Sequence, residues 1–105
     1  MNCSRNDVVL LPIPFTDLTS RKVRPAIVVG ENGADLFLVP ISSVIANTDF
    51  PLNEWRAAGL GLNVPSGIKA QIATVDEKLV VKIVGRLTDN DTKVLNVRLR
   101  KWLKL

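Results

Sequence analysis

The chain has 105 residues, 47% of them hydrophobic and 23% charged, with 14 Lys plus Arg against 10 Asp plus Glu, one cysteine, no histidine and no tyrosine. One compact domain over residues 1–105 is expected at this length, and the composition excludes long disordered segments. Lacking histidine, the protein lacks the usual proton shuttle, the usual triad base and the commonest metal ligand, so its chemistry runs without imidazole.

At this length roughly a third of the unfolded chain's surface stays exposed after folding, which favours a partner or a second copy. Cys3 reads as a bystander at a frayed N-terminus; it has no intrachain partner, which excludes a disulfide scaffold or cysteine metal cluster and fits a reducing compartment. The longest apolar stretch, Val8 to Phe15, holds two prolines and falls well short of the roughly 20 residues that span a bilayer. With no signal-peptide pattern at the N-terminus, a cytoplasmic protein without membrane association is expected. Five cations between Thr88 and Leu105 against Asp89 and Asp91 leave most of the +4 net charge on the tail. Acids at the start and bases at the end are what a helix dipole favours, so charge alone is weak evidence for nucleic acid.

In chain order, Asp7 to Ile13 is a β-branched and leucine run closed by prolines, and it predicts a buried strand. Thr16 to Lys22 is a polar loop. Ala26 to Gly30 is a second strand, Glu31-Asn32-Gly33 a tight turn, and Asp35 to Pro40 a third strand antiparallel to the second. Ile41 to Asn53 is mixed, and Gly59, Gly61, Pro65 and Gly67 mark a loop anchored by Trp55. Ile68 to Thr74 and Val80 to Leu87 read as two further strands. Thr88 with Asp91 makes a capping-box variant, and Leu95, Leu99, Trp102 and Leu103 recur at helical spacing, so an amphipathic helix ends the chain. Five or six short strands and one terminal helix predict a mainly β fold, a small antiparallel barrel with a C-terminal α-helix.

No phosphate-cradling glycine loop, nucleophile elbow or metal-ligand cluster is present. The remaining candidates are polar residues near strand ends: Thr16, Asp17, Arg21, Lys22 and Arg24, then Ser42 and Ser43, then Lys69 and Gln71.

The order of short motifs is more specific. Asp7-Val8-Val9-Leu10, Pro14-Phe15-Thr16-Asp17-Leu18 and Arg24-Pro25-Ala26-Ile27-Val28-Val29 are followed by Leu38-Val39-Pro40-Ile41-Ser42-Ser43, Gly59-Leu60, Pro65-Ser66, Ala73-Thr74-Val75-Asp76 and Val84-Gly85-Arg86-Leu87. Together they resemble the PemK/MazF-like toxins of bacterial type II toxin–antitoxin systems over nearly the whole chain. The resemblance implies an SH3-like barrel, a homodimer, a cognate antitoxin and a metal-independent endoribonuclease for single-stranded RNA that needs no cofactor. It assigns catalysis to the arginine before the proline of the second strand and the hydroxyl after the third, here Arg24 and Ser42. Phe15, Thr16, Arg21, Lys22, Ser43, Lys69 and Gln71 are the candidate RNA-binding residues.

Chemistry supports the pair independently. Attack of a 2′-hydroxyl on phosphorus builds charge on the phosphoryl oxygens, and a planar guanidinium meets two of them at once. An arginine is a poor base near neutral pH, so charge stabilisation comes first and proton donation to the leaving 5′ oxygen second. Two positions depart from the family pattern: Asn6-Asp7 replaces the usual Gly-Asp, and Lys69, Ala70 and Gln71 stand where many relatives carry an arginine. An ammonium neutralises phosphate without a guanidinium's fork.

Plainer readings stand beside these. Arg24 would pair with Asp7 or Asp17, Ser42 would satisfy a turn, and Ser43 would be the working hydroxyl if the register slips by one. Arg21 and Lys22 would be a solvated loop tip, and Phe15 and Thr16 divide evenly between packing and stacking on a base. Trp55 and Trp102 read as core or interface, Thr74 and Asp76 as turn caps. Two other functions remain open: a non-catalytic toxin of the CcdB type that contacts DNA gyrase, and an inactive homologue that binds RNA or titrates antitoxin.

Overall fold

The computed structural model describes residues 2–12, 23–56 and 64–105. Among the described residues, seven strands, β1 (Asp7–Pro12), β2 (Val23–Asn32), β3 (Asp35–Ser42), β4 (Phe50–Pro51), β5 (Gly67–Ile68), β6 (Ala73–Asp76) and β7 (Lys82–Arg86), precede one α-helix, α1 (Asp89–Leu103). All pairings are antiparallel, in the order β4-β5-β3-β2-β1-β7, with β6 also paired to β3. The fold is mainly β with a C-terminal helix. The barrel description fits loosely, since the ladder does not close among the described residues.

β1, β2 and β3 lie between two cores, which is why their apolar runs do not alternate with polar residues. Val9, Leu11, Ala26, Val28, Leu36 and Leu38 face one core, closed by Val75, Val80, Ile83 and Cys3. Val8, Ile27, Val39 and Ile41 face the other, covered by Phe50, Leu52, Ile68 and by Leu95 and Leu99 of α1. Burying each of those two leucines contributes about 1.5–3 kcal/mol. Bulges between Val8 and Val9 and between Val28 and Gly30 curl the sheet around the first core. At the β2–β3 hairpin the turn sits at Gly33-Ala34, one residue later than the sequence suggests, because Asn32 still pairs with Asp35 and Gly33 carries the positive φ of 62°.

Several expectations are corrected. The strand predicted over Ile68 to Thr74 is two strands, β5 and β6. In their separate registers on β3 the four residues Lys69 to Ile72 stand against only two, Val39 and Pro40. Pro40 has no amide proton, so its only ladder contact here is its carbonyl, which accepts from Lys69 N at 3.0 Å. Val80 and Val81 precede β7, since Glu77–Leu79 forms a 3-10 turn capped by Asp76, whose carboxylate accepts from Lys78 N. Asp76 thus caps a turn as expected, whereas Thr74 lies within β6 opposite Phe37.

Cys3 is buried, with its backbone N donating to Glu77 Oε1 at 3.1 Å, so the N-terminal segment is pinned rather than frayed. Thr88 caps α1 as expected, but Asp91 does not complete the capping box: its buried carboxylate accepts from Asn53 N and Glu54 N instead. Trp55 and Trp102 pack against the helix-side core, while Leu103, expected on the packed face, is 51% exposed.

Candidate functional site

The β2–β3 ladder ends at Ala26 opposite Pro40. Beyond that pair β2 continues against β1, with Arg24 opposite Leu11, and β3 continues against β5, with Ser42 opposite Gly67. The next pair would set Pro25 against Ile41, and Pro25 lacks the amide proton that would extend the ladder, so the two strands fork here. Carrying the shared register two residues past Ala26 and Pro40 sets Arg24 across the fork from Ser42. Both fall on the face that carries Ala26, Val28, Leu36 and Leu38.

Lys69 joins them. The β5 register continues from Ile41–Ile68 to place Lys69 opposite Pro40, two residues from Ser42 and on the same face. Arg24, Ser42 and Lys69 therefore form a row over three adjacent strands at one end of a core; Arg24 is exposed, while Ser42 and Lys69 are half-buried. The Ser42 Oγ accepts from Val44 N at 3.1 Å, so the turn role is real. That bond uses one lone pair and leaves the hydroxyl proton to donate. Ser43 lies past the strand end and is exposed, and Gln71 is exposed in the segment between β5 and β6.

Guanidinium, hydroxyl and ammonium on one face bring donors and positive charge together, which suits a phosphate. Asp7, one expected partner of Arg24, is instead bound to Arg86 Nη1 at 3.1 Å and to Ser4 N at 2.8 Å. The other expected partner, Asp17, lies outside the described residues, as do Phe15, Thr16, Arg21 and Lys22. Among the described residues no group of three or more Cys, Asp or Glu side chains is placed to hold a metal ion.

Two contributors were missed in the sequence. Gly67, read only as a loop marker, backs Ser42, and a Cβ there would lie 2.5 Å from Thr48 Oγ1 and 2.9 Å from the Phe50 carbonyl oxygen. Pro40, read as a strand end, pairs with Ala26 on one side and accepts from Lys69 N on the other, and without an amide proton it can donate nothing toward β5; the proline within the strand was the available signal. A groove of about 700 Å³ between α1 and the sheet, lined by Val29, Phe37, Leu99 and Leu103 with Arg5 and Arg100, is apolar. Val29 and Phe37 alternate with the residues of the row's face, so the groove opens on the opposite side of the sheet.

Among solved structures, an endoribonuclease in complex with its cognate antitoxin from a mycobacterial species is 18% identical, covering 100% of this chain and 97% of that one at a TM-score of 0.72. Mycobacterium tuberculosis toxin MazF-mt6 is 14% identical over 94% of this chain and 97% of that one, at a TM-score of 0.71. A second mycobacterial endoribonuclease is 19% identical over 100% and 95%, at a TM-score of 0.65. At such identities the likeness establishes the fold. No curated protein matches the sequence. A family model described as a PemK-like, MazF-like toxin of type II toxin-antitoxin systems matches residues 4–103, nearly the whole chain, including every residue of the row. The chain belongs to the PemK-like, MazF-like toxin family of type II toxin–antitoxin systems.

Proposed function

We propose that this toxin is an endoribonuclease that cuts single-stranded RNA, with Arg24 and Ser42 as its catalytic residues and no requirement for a metal ion. The 2′-oxygen attacks the adjacent phosphorus and gives its proton to water. The bond to the 5′ oxygen breaks, leaving a 2′,3′-cyclic phosphate and a 5′-hydroxyl. Arg24 meets two phosphoryl oxygens as their charge grows, and secondarily supplies the proton taken by the departing 5′ oxygen. Ser42 donates its hydroxyl proton to the same phosphate, oriented by its bond from Val44 N. Lys69 neutralises the phosphate as a point charge. DNA lacks the 2′-hydroxyl and is not a substrate.

The observation that carries this reading is the shared face of Arg24 and Ser42 on either side of the strand fork. Phe15, Thr16, Arg21, Lys22, Ser43 and Gln71 complete the proposed RNA path. The cognate antitoxin and a second copy of the chain are the proposed protein partners, in keeping with the structural relative that is held by its antitoxin. Among the described residues no helix is long and apolar enough to cross a membrane, and the proposed substrate places the work in the cytoplasm.

The test is incubation with a long unstructured RNA and a matching DNA in excess chelator. Discrete RNA fragments, intact DNA and loss of cutting in Arg24→Ala support the reading. Ser42→Ala is expected to cut roughly a hundred- to a thousandfold more slowly, as for loss of one preorganised donor. Ser43→Ala is expected to lose less than Ser42→Ala, as a contact along the RNA path rather than to the reacting phosphate. A second reading, a toxin acting by protein contact, rests on Leu103 and Leu105, which are 51% and 87% exposed at the end of α1. Growth arrest that persists in Arg24→Ala would favour it.

A further inference from the structure

We infer that the segment Lys69 to Ile72 reads the base beside the scissile phosphate, and that Gln71 is the side chain that makes the reading. The inference rests on the endoribonuclease proposal and concerns its specificity.

The segment is a two-residue insertion in what would otherwise be one continuous strand. Extending β5 places Lys69 opposite Pro40, and extending β6 backwards places Gln71 opposite the same residue. The two registers overlap at Pro40, two residues from Ser42, so Lys69 and Gln71 belong to one short stretch of chain beside that position. Extra residues of this kind re-aim a side chain beside an active site without disturbing the strands on either side. Lys69 is tied down by the hydrogen bond its backbone N–H donates to the Pro40 carbonyl at 3.0 Å. Among the described residues, the backbone amides of Ala70, Gln71 and Ile72 donate to no other backbone carbonyl, and all three residues are exposed. Among the described residues, this stretch of donors has no backbone partner beside the proposed phosphate-binding row.

The residue types divide the labour. A contact from Lys69 to phosphate positions a strand and carries no sequence information. Ala70 and Ile72 have no polar side-chain atom. The Gln71 amide carries a donor and an acceptor side by side, the pattern that pairs bidentately with one edge of a base. In single-stranded RNA that edge is open.

Cut sites mapped on a pool of unstructured RNAs test the inference, using the parent, Gln71→Ala, Gln71→Glu and Arg24→Ala. In Gln71→Ala one position of the recognised sequence is expected to lose its preference by about 5- to 150-fold while the other positions keep theirs. Cutting of RNAs altered at that position should be unchanged. Gln71→Glu offers two acceptors and no donor, so the same position is expected to move toward guanine, whose Watson–Crick edge presents two donors. An unchanged sequence preference in both variants, from proteins that still cut, overturns the base-reading role and leaves the endoribonuclease reading standing. A uniform loss at every site in Gln71→Ala also overturns it, since a specifying contact acts at one position. No RNA cutting by the parent overturns both proposals. Because Gln71 is exposed, its variants are expected to melt with the parent, which separates these outcomes from misfolding.

Discussion

The Asp91 carboxylate of α1 accepts the backbone N–H of Asn53 at 2.9 Å and that of Glu54 at 2.8 Å, with Asp91 wholly shielded from water. Thr88, the helix cap, donates its hydroxyl to Glu54 Oε1 at 2.8 Å, so the first turn of α1 clamps the chain just after β4. Asp91→Ala would strand two partly buried donors, each costing about 1–3 kcal/mol. A total loss near 3 kcal/mol is expected in urea unfolding. Asp91→Asn keeps one carbonyl oxygen and should lose about half as much. A loss below ~0.5 kcal/mol in Asp91→Ala would show that the clamp contributes little.

Gly67 is expected to tolerate no side chain. A Cβ would meet Thr48 Oγ1 at 2.5 Å, Thr48 Cβ at 2.8 Å and the Phe50 carbonyl oxygen at 2.9 Å. Gly67→Ala should therefore cost about 1–3 kcal/mol by forcing β4 away from β5. Adding Thr48→Gly should recover part of the loss, and only part, because the Phe50 carbonyl stays. Equal thermal stability of the parent and Gly67→Ala would refute the close approach. RNA cutting in the variant should fall as well, since Gly67 backs Ser42.

The helix and the first three strands were legible because each is written locally, whereas Arg24 and Ser42 were named together only through the family resemblance. Leucines at three- and four-residue spacing, β-branched runs bounded by prolines, and a Gly-containing turn all act within a few residues. The split of the fourth predicted strand was not legible, because it depends on two registers against β3 and on which residue Pro40 faces. Asp91 was read as half of a capping box, since Thr88 lies three residues before it. Its actual partners, Asn53 and Glu54, are 38 and 37 residues away. Cys3 was misjudged for a similar reason: the tether from Glu77 that buries it spans 74 residues.

Asn6 holds a φ of 76°, in the left-handed region, and its Oδ1 is buried without a partner. Asn is one of the few non-glycine types that visit this region, which explains how it stands where relatives carry glycine. The strained conformation is fixed by backbone bonds from Asn6 N to the Val28 carbonyl and from Leu87 N to the Asn6 carbonyl. Asn6→Gly keeps both bonds and removes the orphan oxygen, so it is expected to raise stability by up to about 1 kcal/mol. Asn6→Val should lower it by about 1–2 kcal/mol. Thermal unfolding of the two variants decides, and the same sign for both would contradict the assignment.

Burial pushes the Cys3 thiol above its ordinary value of 9.0, with the Glu77 and Asp7 carboxylates adding to the effect and the N-terminal ammonium opposing it. A raised value in the folded state favours the neutral thiol there. The resulting stability is fully present below about pH 9 and is lost as pH rises through the folded value. Labelling by a thiol reagent at pH 8 should accordingly be slow in the native protein and fast in denaturant. Equal rates in the two states would show that Cys3 is accessible in the native fold.

Lys69 separates a phosphate contact from a packing residue. Its amide is held by the Pro40 carbonyl, so the backbone position survives substitution of the side chain. A cation that neutralises one phosphate of a single strand releases about 0.7 of a counterion. Lys69→Ala should therefore weaken RNA binding most at low salt and flatten the plot of log affinity against log salt by about 0.7. Lys69→Arg keeps the charge and should keep the slope, while its fork adds a second bond to the phosphate and strengthens binding. Titration of a non-cleavable RNA across salt concentrations reads all three proteins. A slope in Lys69→Ala equal to the parent's would remove Lys69 from the phosphate, leaving Arg24 as the cation of the row.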